Sequence, residues 1–208
     1  MTTDTPPRSV LVFGKSQRVL DDTVAALRDL GYTAQATNDF FSDITGKFDV
    51  TEIDLVVLGT QVPADRQAKL KEEIGAINPR VIFVEGLAGI PGLIVNQVQG
   101  AFAAERLDPA QAPAYAPGDH SIRLALADPA AVRATVWWRT SIIPPDPQSD
   151  SLVLLDGRLA SGQHTIPVPD HVFLPPKRSP DSPDLPQAVF ATVQVDAAIY
   201  NFSIAAGQ

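Results

Sequence analysis

Four groups of residues in this chain carry functional chemistry. Gly14-Lys15-Ser16-Gln17-Arg18 sets two cations and a hydroxyl directly behind the apolar run Ser9 to Phe13. If a helix starts there, its N–H groups and the cations could hold a phosphate. The alternative is a basic loop on an ordinary βα turn. Gly86-Leu87-Ala88-Gly89-Ile90-Pro91-Gly92 has glycine at every third place, so its backbone N–H groups could cradle an anion or a ligand edge. Glycines there would equally serve a tight turn and close helix packing. Glu85, immediately before this stretch, alone has acid–base chemistry. His120, His164 and His171 are all the histidines; their spacing matches no metal motif and reads as surface or strand-edge histidine. Consecutive Trp137 and Trp138 must face opposite sides of a strand, one in the core and the other exposed or covered by the partner domain. With Arg133 and Arg139 near, the outward ring could stack a sugar or base, or anchor a subunit contact. No G-x-S-x-G nucleophile motif occurs.

The elements that must position these residues differ between the two halves. Of 19 prolines, five lie in residues 1–104 and 14 in residues 105–208. In the first half, strand signals at Ser9–Phe13, Tyr32–Thr37, Asp54–Leu58 and Arg80–Val84 alternate with helix signals. Val19, Val24, Leu27 and Leu30 form one stripe closed by Gly31. Pro63 opens a helix running to Ile77, and Pro91 stands in the first turn of another through Ala104. Strands apolar throughout imply a parallel sheet covered on both faces. In the second half, Ser121–Leu126, Val132–Trp138, Ser151–Leu155, His164–Val168, His171–Leu174, Val189–Val195 and Ala198–Ile204 read as short strands. Asp156-Gly157 and Ser161-Gly162 are read as turns, and Asp196-Ala197 as a hairpin turn lacking the usual glycine. The expected fold is a three-layer α/β Rossmann-like domain with a short parallel sheet, followed by an all-β antiparallel sandwich. The expected boundaries are a disordered tail over 1–8, the α/β domain over 9–105, a proline-rich linker over 106–119 and the sandwich over 120–208. Pro175 to Pro186 is expected to be a mobile loop.

Composition bounds the partners. The chain is 208 residues, 45% apolar and 19% charged, without cysteine, at a net charge of −8; both halves carry −4. That excludes disulfides, thiolate chemistry and a mainly electrostatic nucleic-acid binder. No signal-peptide pattern or long apolar run is visible, so the expectation is a cytoplasmic protein with no membrane or nucleic-acid partner.

Residues 9–104, and VLVFGKSQRVLDDTVAALRDLGYTAQATND in particular, resemble the opening βαβ of the NAD(P)-binding short-chain dehydrogenases, and also the receiver or flavodoxin-like domain. The resemblance implies a nucleotide at the Gly14 turn. The glycine fingerprint is incomplete, because Lys15 to Val19 stand where backbone must approach the pyrophosphate. The dehydrogenases' Tyr with Lys four positions on is missing too: Tyr32, Tyr115 and Tyr200 are followed by Ala36, Asp119 and Ile204. Where a receiver carries its phospho-acceptor Asp, this chain has Gly59-Thr60. The candidate ligand-binding residues, due beyond the carboxyl ends of the strands, are Gly14, Lys15, Ser16, Arg18, Asn38, Gly59, Thr60, Gln61, Glu85, Gly86 and Gly89. Three functional readings follow. The first is a non-catalytic binding or assembly protein, with no cofactor, forming a homo-oligomer through the sandwich and holding at most a small molecule. The second is an NADP-binding oxidoreductase or nucleotide sensor. The third is carbohydrate or surface recognition by the sandwich.

Overall fold

The computed structural model describes residues 7–141, 148–177 and 187–204. The first apolar run forms β1 (Ser9–Phe13), and α1 (Gln17–Asp29) follows with Ser16 as its N-cap. Gly31 just beyond α1 takes φ +87°, the left-handed conformation in which glycine commonly ends a helix. Next come β2 (Thr33–Thr37), a one-turn helix α2 (Ile44–Lys47), a 3-10 turn at Val50–Glu52, and β3 (Leu55–Leu58). Helix α3 (Ala64–Ile77), β4 (Ile82–Glu85) and α4 (Pro91–Phe102) complete the series. The chain divides inside α4 into two units, Met1–Val98 and Gln99–Gln208.

In the first unit the strands are all parallel, in the order β2-β1-β3-β4. The β1-to-β2 and β3-to-β4 connections therefore run in opposite directions across the sheet. Right-handed crossovers then put α1 on one face and α3 on the other. Alternation sorts the buried side chains accordingly. Leu11, Phe13, Val56 and Leu58 share a cluster with Leu70 and Ile74 of α3 and Ile44 of α2. The alternate set, Val10, Val12, Leu55 and Val57, is fully buried on the face to which α1 brings Leu20, Thr23 and Leu27. The central strands are thus apolar on both faces, as expected for a covered parallel sheet. Asn78, 7% exposed, closes α3 and donates through Nδ2 to the carbonyls of Val50 (3.0 Å) and Ile53 (2.8 Å).

The second unit is antiparallel: β5 (Ala114–Ala116), β6 (Ser121–Leu126), β7 (Ala130–Ser141), β8 (Gln148–Leu159), β9 (Gly162–Pro167), β10 (Val189–Val195) and β11 (Ala198–Ile204). They form two sheets, β11-β10-β7-β8 and β5-β6-β9. Ile122, Leu124 and Ile166 of one sheet and Val136, Trp138, Ala191 and Val193 of the other belong to one buried cluster, which makes this a sandwich. At the β10–β11 turn Asp196 adopts φ +49° in place of the usual glycine, and its Oδ1 accepts from the Ala131 N–H at 3.0 Å.

Several expected elements differ. Residues 106–119 carry 3-10 turns at Pro109–Gln111 and Pro117–Asp119 together with β5. His171–Leu174 is not a strand: Asp170–Phe173 is a 3-10 turn that buries Val172. Asp156-Gly157 is not a turn. β8 continues through it because Gly157 pairs with Val132, and Asp156 opposes Arg133 with a 3.0 Å ion pair. β8 also holds a bulge: Val153 opposes Thr135 and Leu155 opposes Ala134, so Leu154 is the additional residue. Of the loop expected at Pro175–Pro186, residues 178–186 lie outside the described residues, as do residues 1–6 of the expected tail. Among the described residues no helix is long and apolar enough to cross a membrane.

Candidate functional site

At the carboxyl edge of the parallel sheet, three glycines follow directly on three neighbouring strands. The Gly14 N–H after β1 donates to the Thr37 carbonyl (3.3 Å), Gly59 after β3 to Phe13 (2.8 Å), and Gly86 after β4 to Leu58 (2.9 Å). The ladder thereby runs one residue past each strand. Gly59 has a definite steric reason, since a Cβ there would lie 2.7 Å from the Phe13 carbonyl oxygen. At Gly86 a Cβ would make ordinary contact with Leu58 O and Gly59 Cα, and at Gly89 it would meet nothing. Close approach of backbone therefore accounts for Gly59, whereas Gly89 borders open space.

The connections reverse between β1 and β3, so Gly14–Ser16 and Gly59–Gln61 flank the point where ligands bind in open α/β sheets. Lys15 is exposed beside it. Ser16 Oγ accepts from the Val19 N–H at 3.4 Å, capping α1. Arg18 is exposed, 3.9 Å from Asp22 one turn along its own helix. Thr60 and Gln61 are exposed in a turn closed by the Val62 N–H on the Gly59 carbonyl (3.0 Å). Asn38 is exposed beyond β2, on the other flank of β1. Beside it the Lys47 ammonium, 2.6 Å from Asp39, together with Ser42, holds the Asp39 carboxyl down at about 2.

Glu85 is exposed and its carboxylate lies 2.6 Å from Lys71 Nζ, which holds its pKa below the usual carboxylate range. At neutral pH it is an ion-paired anion with no proton to give. Its backbone is fixed by a residue that sequence reasoning missed. Gln97 of α4, 8% exposed, donates Nε2–H to the Glu85 carbonyl (3.0 Å) and accepts the Leu87 N–H on Oε1 (3.1 Å). One buried amide thus sets the entry to the glycine stretch. Its only trace in the sequence is a polar residue in a largely apolar helix, which says nothing about the groups it bonds.

Beside this edge, and lined by none of the eleven predicted residues, is a cavity of about 440 Å³ between the 41–45 segment and α3. Arg66, 7% exposed, is its buried cation. Its guanidinium donates to the Phe40 carbonyl and, at 3.2 Å, to Glu73, which also lies 3.7 Å from Lys69. Arg66 thereby ties the loop after β2 to α3. Phe41 is 71% exposed at the rim.

The remaining candidates are each engaged locally. His120 Nδ1 lies 2.7 Å from Asp170 Oδ1, His164 Nε2 is 2.7 Å from the Ala160 carbonyl, and the His171 ring meets Trp138 edge-on at 5.9 Å. Trp138 is in the sandwich core. Trp137 is half-buried on the opposite face, where its Nε1–H donates to Thr192 Oγ1 at 3.1 Å. Compared with known proteins, the sequence matches no family model and no curated protein.

Proposed function

We propose that the protein is a non-catalytic binding and assembly protein. Its Rossmann-like α/β unit would receive a small ligand at the carboxyl edge, and its β unit would supply contacts with further copies. The observation that carries the reading is the pairing of Glu85: the one acid–base side chain among the predicted edge residues lies 2.6 Å from Lys71 Nζ, which lowers its pKa and so weakens it as a general base as well as leaving it no proton to give. What the edge offers otherwise is the start of α1 at Gln17, with Lys15 and Arg18 exposed beside it. Such a surface can hold an anionic group without transforming it.

The β2-β1-β3-β4 order favours a nucleotide as that ligand, with NADP the member whose additional phosphate Lys15 and Arg18 would meet. Ligand binding to the native state raises the thermal midpoint by mass action. A midpoint screen with NAD, NADP, ATP, GTP, FMN and FAD tests this. A saturable rise with NADP, lost in the Lys15→Ala/Arg18→Ala double variant, supports a nucleotide site. No rise with any of the six would sink the nucleotide reading and leave the α/β unit as a scaffold. Steady turnover of a nicotinamide cofactor would overturn the non-catalytic reading.

A further inference from the structure

β8 is the free edge of the β11-β10-β7-β8 sheet: among the described residues no strand pairs with its outer side. A free edge twelve residues long offers a row of unpaired N–H and C=O groups to any other strand. Its second half reads Leu155-Asp156-Gly157-Arg158-Leu159, palindromic in apolarity and self-complementary in charge. Run antiparallel to itself about Gly157, Leu155 meets Leu159, Asp156 meets Arg158, and Gly157 meets Gly157.

The faces agree as well as the letters. Leu155 and Leu159 oppose Ala134 and Ala130 of β7, both buried, and pack half-buried against the sandwich core. Asp156 and Arg158 oppose Arg133 and Ala131, both exposed, on the outer face. Residues directly opposite in an antiparallel pair lie on the same face. Self-pairing about Gly157 therefore extends the apolar row inside and sets two Asp–Arg pairs outside. Asp156 already accepts from Arg133, and Arg158 spends one N–H on the Pro129 carbonyl (3.1 Å). A carboxylate accepts several donors and a guanidinium has five N–H groups, so both retain capacity.

We infer that β8 is a dimerisation edge, its partner a second copy of this chain paired antiparallel through residues 155–159 about a two-fold axis at Gly157. The inference rests on the assembly reading above and adds to it the partner, the strand and the register. Such pairing is isologous and closes at two copies.

The chain has no cysteine, and a Cβ at Gly157 meets nothing within 4 Å. Gly157→Cys therefore introduces a single thiol at the axis, where cross-strand Cα spacing of about 4.5–5.5 Å suits a disulfide. Under mild oxidation the full-length variant is expected to give covalent dimer, whereas Ser151→Cys, six residues away, is not. In sedimentation velocity the wild type should approach twice its 22.2 kDa mass with rising concentration. Arg158→Asp and Asp156→Arg should each weaken dimerisation about tenfold by placing like charges opposite one another. An equimolar mixture of these two variants restores both opposite-charge pairs and should dimerise as the wild type does. A wild type that stays monomeric at every concentration overturns the inference and the assembly reading together. A wild-type oligomer that forms no Gly157→Cys dimer, or that both charge variants leave unchanged, overturns this edge alone.

Discussion

Replacing Gln97 tests whether one buried amide holds the glycine stretch in place. Gln97→Met keeps the length and bulk of the side chain and removes both polar atoms, so the Glu85 carbonyl and the Leu87 N–H lose their partners at 3.0 and 3.1 Å. Each such bond is worth about 1 kcal/mol net, and more when the abandoned group stays dry. Glu85 is exposed and Leu87 half-buried, so water reaches part of the gap and the expected loss is about 2 kcal/mol. For a unit of about 100 residues that is on the order of 10 °C in midpoint. Both tryptophans lie in the second unit, so their fluorescence does not report this loss directly. Circular dichroism at 222 nm does, because α1, α3 and most of α4 belong to the first unit. Gln97→Glu sharpens the test. Its carboxylate can still accept from Leu87 but faces the Glu85 carbonyl with a negative oxygen. The introduced carboxyl gains a donor only when protonated, so its pKa is raised on folding. The penalty relative to wild type is then smallest at acid pH and grows as pH rises above the ordinary carboxylate range. A loss below about 0.5 kcal/mol for Gln97→Met would refute the argument, that being the usual scatter of inconsequential substitutions. So would a Gln97→Glu penalty that is the same at both pH extremes.

Gly59→Ala should cost about 1–3 kcal/mol in urea unfolding, because its Cβ would be pressed to 2.7 Å from the Phe13 carbonyl oxygen and β1 and β3 would have to separate. Gly89→Ala, with nothing within 4 Å, is the control and should fall within about 1 kcal/mol of wild type; equal losses at the two sites would contradict the steric account. Asp39 should titrate at about 2 by carboxyl-carbon NMR, and Lys47→Ala should move that midpoint upward. The folded pKa is depressed, so the stabilising contribution is present above the ordinary aspartate range and lost as pH falls towards 2; an unmoved midpoint in Lys47→Ala would show that the ammonium is not the cause.

Local signals were legible where they stood alone. β10 and β11 start and stop at the residues their alternation marks, and β1 ends before Gly14 as α1 does before Gly31; the face α1 buries is Leu20, Thr23 and Leu27, however, not the expected stripe through Val19, Val24 and Leu30, of which Leu30 is exposed. Asp156-Gly157 misled because a turn signal matters only if the chain reverses there, and pairing with β7 carries it straight on. Helix α2 has four residues, too few for any periodicity to register. Gln97 and Arg66 were illegible for another reason. Apart from the Glu73 carboxylate that Arg66 meets on its own helix, their partners are backbone atoms: those of Arg66 come from the loop after β2, 24 and 26 residues away, and those of Gln97 from the end of β4. Backbone carbonyls leave no mark in the identity of the residues that present them.

The additional residue at Leu154 frees chain length from side-chain facing at one point of β8. Inward positions fall on 150 and 152 before it and on 155, 157 and 159 after it, so counting by twos along the strand fails there. Deleting Leu154 would leave every other pair opposite its present partner and simply straighten the strand. Inserting or deleting a residue elsewhere in β8 would have to move the bulge or turn leucines outward and charges inward. If chains related to this one differ by a single residue within this strand, position 154 is where that difference leaves the facing of every other residue unchanged, with the loss only of the contact Leu154 makes against the sandwich core.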